Sequence, residues 1–190
     1  MTTPEDGPAA EHRRVAGLFT ELVRTTPDDA WDNQSPVKEW RARDVVRHLV
    51  EWFPGFLAGG SGITLPQGLS ADDDPVAAWQ VQADAVQSLL DDPRTRERVL
   101  SNRHIGEVPL DEGIDRFYTS DVFMHTWDLA RATGQEVTLD PDKCAAMLAG
   151  MEPIEDMIRQ SGQYGPRVPV PDDADAQTRL IAFIGRDPNA

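Results

Sequence analysis

Apolar residues recur along this chain at helical spacing, and the alternation expected of strands is almost absent. In "AAEHRRVAGLFTELVRTT", Val15, Leu18, Phe19, Leu22 and Val23 share one stripe, which predicts an amphipathic first helix. "PDDAWDNQSPVKEW" follows as a loop of turn residues. A second helix is predicted from about Ala42 to Leu57, with Asp44 near its start and Pro54 kinking or ending it. "AGGSGITLPQGLSADDD" is polar and irregular and predicts an exposed loop, long enough to be functional or mobile. Asp73 or Asp74 then caps a third helix, "PVAAWQVQADAVQSLLDD", which opens on Pro75 and ends before Pro93.

"VLSNRHIGEVPL" is the one stretch that reads as extended. A fourth long helix is predicted from about Leu110 to Thr133, stopped by Gly134. Another begins near Asp140–Pro141 and runs to about Gln160, with Pro153 breaking or kinking it. "SGQYGPRVPVPDDAD" reads as a proline-fixed loop, and "ADAQTRLIAFIGRD" as a short closing helix. Four long helices with shorter ones predict an all-α bundle, read as one domain over residues 1–190.

Charge narrows the partners. Lys and Arg number 18 against 33 Asp and Glu, a net charge of −15, which repels a phosphate backbone and an anionic membrane surface. No run approaches the ~18 apolar residues of a spanning helix, and the first residues lack the apolar core of a signal peptide. Cys144 is the only cysteine, so no intrachain disulfide forms, which fits a reducing cytoplasm. Its apolar surroundings predict an inert core thiol. A monomer and a homodimer both fit this composition.

Candidate chemistry lies in "DVFMHTWDLA". At about 100° per residue, Ile114, Phe117, Tyr118, Val122, Met124, Leu129 and Ala132 define a buried arc. Asp121, His125 and Asp128 fall in the middle of that arc. Polar groups at core positions cost free energy unless they are partnered. An Asp and a His one turn apart project from one face and form a metal half-site, or else simply hydrogen-bond each other.

The same Asp-Val-x-x-His spacing occurs in "DVVRHLVEWF". There Val45, Val46, Leu49, Val50, Trp52, Phe53, Phe56 and Leu57 define the apolar arc, and His48 lies at its edge. Asp44 and Glu51 fall on the polar side with Arg47, where solvent is expected. His48 reads as a third ligand or as a boundary histidine satisfied by water or a backbone carbonyl. Together His48, Asp121 and His125 would leave an open position, as catalytic divalent metals require. Zinc is the default, and nickel, cobalt, manganese or iron would bind similar donors. Asp128 is expected to fix an imidazole tautomer or to pair with Arg131. Trp52, Trp79 and Trp127 read as core or rim aromatics, and His12 and His104 lie in polar stretches. No cluster of Arg or Lys is tied to the three residues by spacing.

"EWRARDVVRHLV", "DVFMHTWDLARATGQ" and "GPRVPVPDDADAQTRLIAFIGRDP", in that order, resemble the DinB-like superfamily. The likeness is to the metal-binding domain of mycothiol-dependent maleylpyruvate isomerase and its actinobacterial relatives. The resemblance implies a four-helix bundle of up-down-down-up type with a divalent metal held by His48, Asp121 and His125. The isomerase has Glu where this chain has Asp121, so the backbone must approach closer, a water must bridge, or the site is weaker or vacant. The resemblance also implies a thiol, mycothiol in the isomerase, attacking a small electrophile, as in a transferase or isomerase. The isomerase proper carries a further C-terminal domain, so maleylpyruvate itself is not implied. A non-catalytic metal-binding or partner-binding bundle is the alternative. So is a metal-dependent hydrolase with Asp128 or Glu51 activating water.

Overall fold

The computed structural model describes residues 7–103 and 105–189, so His104 lies outside it. The chain is mostly helical and divides into two compact units. The first comprises the described residues to Ser35 together with Glu39–Gln135. The second comprises Pro36–Lys38 and the described residues from Glu136 on.

In the first unit, α1 (Pro8–Thr25) starts on a proline, whose missing N–H costs nothing in a first turn. It buries Val15, Phe19, Leu22 and Val23. Leu18, expected on the same stripe, stays 38% exposed, because it lies at the stripe's edge and the packed face is narrower than the apolar one. His12, read as a polar-stretch residue, is instead in the core at 1% exposure, with Nδ1 2.9 Å from Gln87 Oε1.

Helix α2 (Ala42–Ser61) continues through Pro54 and ends at Gly62, whose φ of 72° suits glycine. Of the kink or end expected at Pro54, the end does not occur. Phe53 and Leu57, both fully buried, anchor the turns on either side of the lost backbone bond. The following loop is less exposed than its composition predicts. Residues 58–61 belong to α2, and Leu65 and Ala71 are buried.

Helix α3 (Pro75–Asp91) is capped by Asp74, whose Oδ1 accepts the Ala77 N–H at 2.9 Å. Strands β1 (Val99–Asn102) and β2 (Gly106–Pro109) pair antiparallel as a hairpin where one extended segment was expected. Leu100 points from β1 into a slot between Gly60 and Gly113 and is fully buried. A Cβ on either glycine would stand 2.6 or 2.7 Å from its methyls.

The predicted fourth helix is three pieces: α4 (Leu110–Gly113), a π-helical turn (Ile114–Thr119), and α5 (Ser120–Thr133). A π turn inserts a residue and shifts the phase of the helix, which single-period reading misses. Helix α5 ends at Gly134, φ 71°. Every residue from Val122 to Ala130 is buried, so α5 has no solvent face there. Helices α1 and α2 each pack against both α3 and α5.

In the second unit, α6 (Pro141–Met151) is capped by Asp140 and followed by a tight turn at Glu152–Ile154 that contains Pro153. Helix α7 (Glu155–Gln160) follows, then an irregular segment and α8 (Ala176–Phe183), capped by Asp175. Helices α6 and α8 pack together around Cys144, Leu148, Leu180 and Phe183. Arg159 lies 4.8 Å from the Phe183 ring centroid and donates to the Phe183 carbonyl at 2.7 Å. No helix among the described residues is long and apolar enough to cross a membrane.

Candidate metal centre

Helices α2 and α5 lie side by side in the first unit, and this brings His48, Asp121 and His125 together. One donor atom from each lies within 4.8 Å of the others. His48 Nε2 is 3.0 Å from Asp121 Oδ2, and His125 Nε2 is 3.5 Å from Asp121 Oδ1. Both imidazoles thus turn the same nitrogen towards one carboxylate, one on each oxygen. The Asp121 carboxylate lies within 3.5 Å of both rings.

Asp128 takes the far side of His125. Its Oδ2 lies 2.8 Å from Nδ1, and the Asp128 side chain has no solvent exposure. An ionised carboxylate only accepts, so Nδ1 carries a proton, which leaves Nε2 as the nitrogen that would bind a metal. Asp44, expected in solvent, is instead half-buried. It accepts the Arg41 N–H at 2.7 Å at the start of α2 and pairs with Arg47. Glu51 is exposed, as its position on α2 predicts.

Burial by itself would raise the Asp121 carboxyl. The charge of His125, and the hydrogen bond and charge of His48, act in the opposite direction and hold it below its ordinary value, as does the Trp52 N–H. That N–H donates to Asp121 Oδ2 at 3.0 Å, so Trp52 is part of the site and not only a rim aromatic. Trp40 contributes a second indole. Its centroid is 4.9 Å from His48 and 5.7 Å from His125. Sequence periodicity missed it because it precedes α2, in a turn closed by the Gln34–Arg41 bridge, where Ser35 N–H donates to the Trp40 carbonyl at 2.8 Å. Trp79 and Trp127 are core residues, as read from sequence.

A groove of about 820 Å³ opens beside His48 and Trp40. Arg41, Arg43 and Arg47 line it, so arginines do gather next to the three residues, contrary to the reading from spacing. Spacing missed them because two come from the first turns of α2 and one from its cap, and their partners come from distant loops.

The donor set suits a divalent metal. Nitrogen and oxygen ligands at about 2.0–2.2 Å in a tetrahedral arrangement stand roughly 3.4 Å apart; the Asp121 contacts of 3.0 and 3.5 Å, each on its own oxygen, lie near that spacing, and the whole set falls within 4.8 Å. Fold and cluster define a mostly helical protein with a partly buried two-histidine, one-carboxylate centre. The chain belongs to the family of the mycothiol maleylpyruvate isomerase N-terminal domain, which matches residues 12–130. An uncharacterized protein of Mycobacterium tuberculosis, in strain H37Rv and in strain CDC 1551 / Oshkosh, is 29% identical over 182 residues. That match covers 94% of this chain and 97% of the relative. No solved structure matches significantly.

Proposed function

We propose that the chain is a DinB-like four-helix bundle in which His48, Asp121 and His125 hold a divalent metal, zinc by default. We propose further that it acts as a thiol-dependent transferase or isomerase on a small electrophile, with mycothiol as the thiol. The observation that carries the reading is the convergence of two imidazole Nε2 atoms on one carboxylate, with Asp128 behind His125. The packing of α1 and α2 against both α3 and α5 supports the bundle, and the family supports the thiol.

When bound, the metal supplies the Lewis acidity that makes a thiol a thiolate near neutral pH. The chain's own residues present the donors and orient them. Asp128 fixes the tautomer of His125, and Trp52 fixes the Asp121 carboxylate. Trp40 covers both imidazoles on one side. The chain's own sulfur is a poor nucleophile, since Cys144 is buried and its thiol is pushed up to about 11. The nucleophilic sulfur therefore comes from a small thiol. The hydrolytic alternative loses Asp128 as a base, since that carboxylate is sealed from solvent against His125.

Metal analysis of protein purified without chelator tests the reading. Stoichiometric zinc or another divalent ion is expected, lost in His125→Ala and in Asp121→Ala. Protein that neither contains nor takes up a divalent ion would refute it. Metal without thiol-dependent turnover of electrophiles would favour a binding protein.

A further inference from the structure

The groove beside His48 and Trp40 is where a molecule reaching the three-residue centre would lie. Each of its three guanidiniums pairs with a group of this chain, although Arg43 Nε and Arg47 Nε are buried without a hydrogen bond. Arg41 Nη1 and Arg43 Nε each lie 3.1 Å from Asp32 Oδ1. Arg43 Nη1 donates to the Asp72 carbonyl at 2.9 Å, and Arg47 pairs with both Asp44 and Asp72. An incoming carboxylate would compete with these partners.

The remaining charge is negative. Five carboxylates line the groove against three guanidiniums. Glu39 and Glu51 are exposed, and neither side chain has a hydrogen bond or ion pair among the described residues, although the Glu51 charge acts on Arg47. Glu39 also stands out in its backbone. Its φ of 66° is the only positive value at a non-glycine among the described residues, and it directly precedes Trp40. A side chain is kept where glycine would fit more easily. The carboxylates and the indole face of Trp40 favour a cation on both counts.

We infer that this groove admits neutral and cationic small molecules and turns away carboxylates, with Glu39 and Glu51 as the residues that set the selection. The inference rests on the proposed metal centre as the reactive end of the groove, and it assigns the co-substrate class: amine- or hydroxyl-bearing, not a dicarboxylate.

Three thiols that differ in charge test it on the intact protein loaded with cobalt: cysteamine, 2-mercaptoethanol and mercaptosuccinate. Thiolate-to-cobalt absorption reads binding. Cysteamine and 2-mercaptoethanol are expected to bind at least about tenfold more tightly than mercaptosuccinate at low salt, with the gap shrinking as salt rises. The double substitution Glu39→Gln with Glu51→Gln is expected to close most of the gap while cobalt content stays unchanged. Mercaptosuccinate binding tightest, or a double variant with an unaltered ladder, would overturn the inference and leave the metal reading intact.

If cobalt does not bind, the proposed function fails, and quenching of Trp40 fluorescence in metal-free protein still decides the inference. With Trp40→Phe as the subtraction, caesium is expected to quench Trp40 more than iodide does, relative to the double variant. A caesium-to-iodide quenching ratio no higher in the parent than in the double variant would refute the selection.

Discussion

His125 Nδ1 stands 2.8 Å from Asp128 Oδ2, three residues further along the same helix, and Asp128 has no exposed surface. The pair makes Nδ1 a donor and leaves Nε2 as the nitrogen that would bind a metal. Loss of such an outer carboxylate typically weakens metal binding by about 10–100-fold. Asp128→Ala is therefore expected to lower zinc affinity within that range, measured by competition with a chromophoric chelator. Asp128→Asn, which keeps an acceptor oxygen, should lose less. Equal affinities in all three proteins would show that the ring needs no such orienter.

Trp52 holds the other end of the centre. Its indole N–H meets Asp121 Oδ2 at 3.0 Å, while its ring packs edge-on against Phe53 and at a tilt to Tyr118. Trp52→Phe keeps much of the ring packing and removes the donor. The metal-free protein should lose about 1–2 kcal/mol, since one donor to a partly buried carboxylate disappears. For a chain of this size that lowers Tm by roughly 2–4 °C per kcal/mol, readable by calorimetry. An unchanged Tm would mean that Asp121 is held by the histidines alone.

Asp121, His125 and Asp128 were legible in the sequence because charges at consecutive turns of one apolar face require partners. His48 was legible as an edge residue of α2. The continuation of α2 past Pro54 was not, because burial of Phe53 and Leu57 overrides the local cost of proline. The π turn at Ile114–Thr119 was hidden because a single helical period carries no sign of an inserted residue. Trp40 and the groove arginines were hidden because they depend on a turn and on loop contacts, such as Arg47 with Asp72, which lie 25 residues apart. Periodicity reports contacts along one element and is silent on contacts between a helix and a loop.

Glu39 gives a stability prediction that is independent of binding. At φ 66° an L side chain costs roughly 1–2 kcal/mol relative to glycine in the folded state. Glycine also gains freedom in the unfolded chain, which takes back about 0.4–1 kcal/mol. Glu39→Gly is therefore expected to match or slightly exceed the parent in urea denaturation, and Glu39→Ala to gain nothing. A Glu39→Gly protein clearly weaker than Glu39→Ala would place the cost elsewhere than in the backbone.

His12 predicts an acid sensitivity separate from the metal centre. Burial holds its pKa below the ordinary value of 6.5, and the nearby Arg13 charge adds to this. The Gln87 hydrogen bond and the Asp91 charge pull the other way and do not overcome it. The folded protein thus keeps His12 neutral where the unfolded chain already takes up a proton. The unfolded state binds more protons as pH falls through about 6.5, so stability drops over that window. His12→Gln keeps a donor for Gln87 Oε1 and removes the titration. The difference in urea midpoint between the parent and this variant should move in the variant's favour from pH 7.5 to pH 5. A difference that stays constant across that range would show that His12 titrates alike in both states.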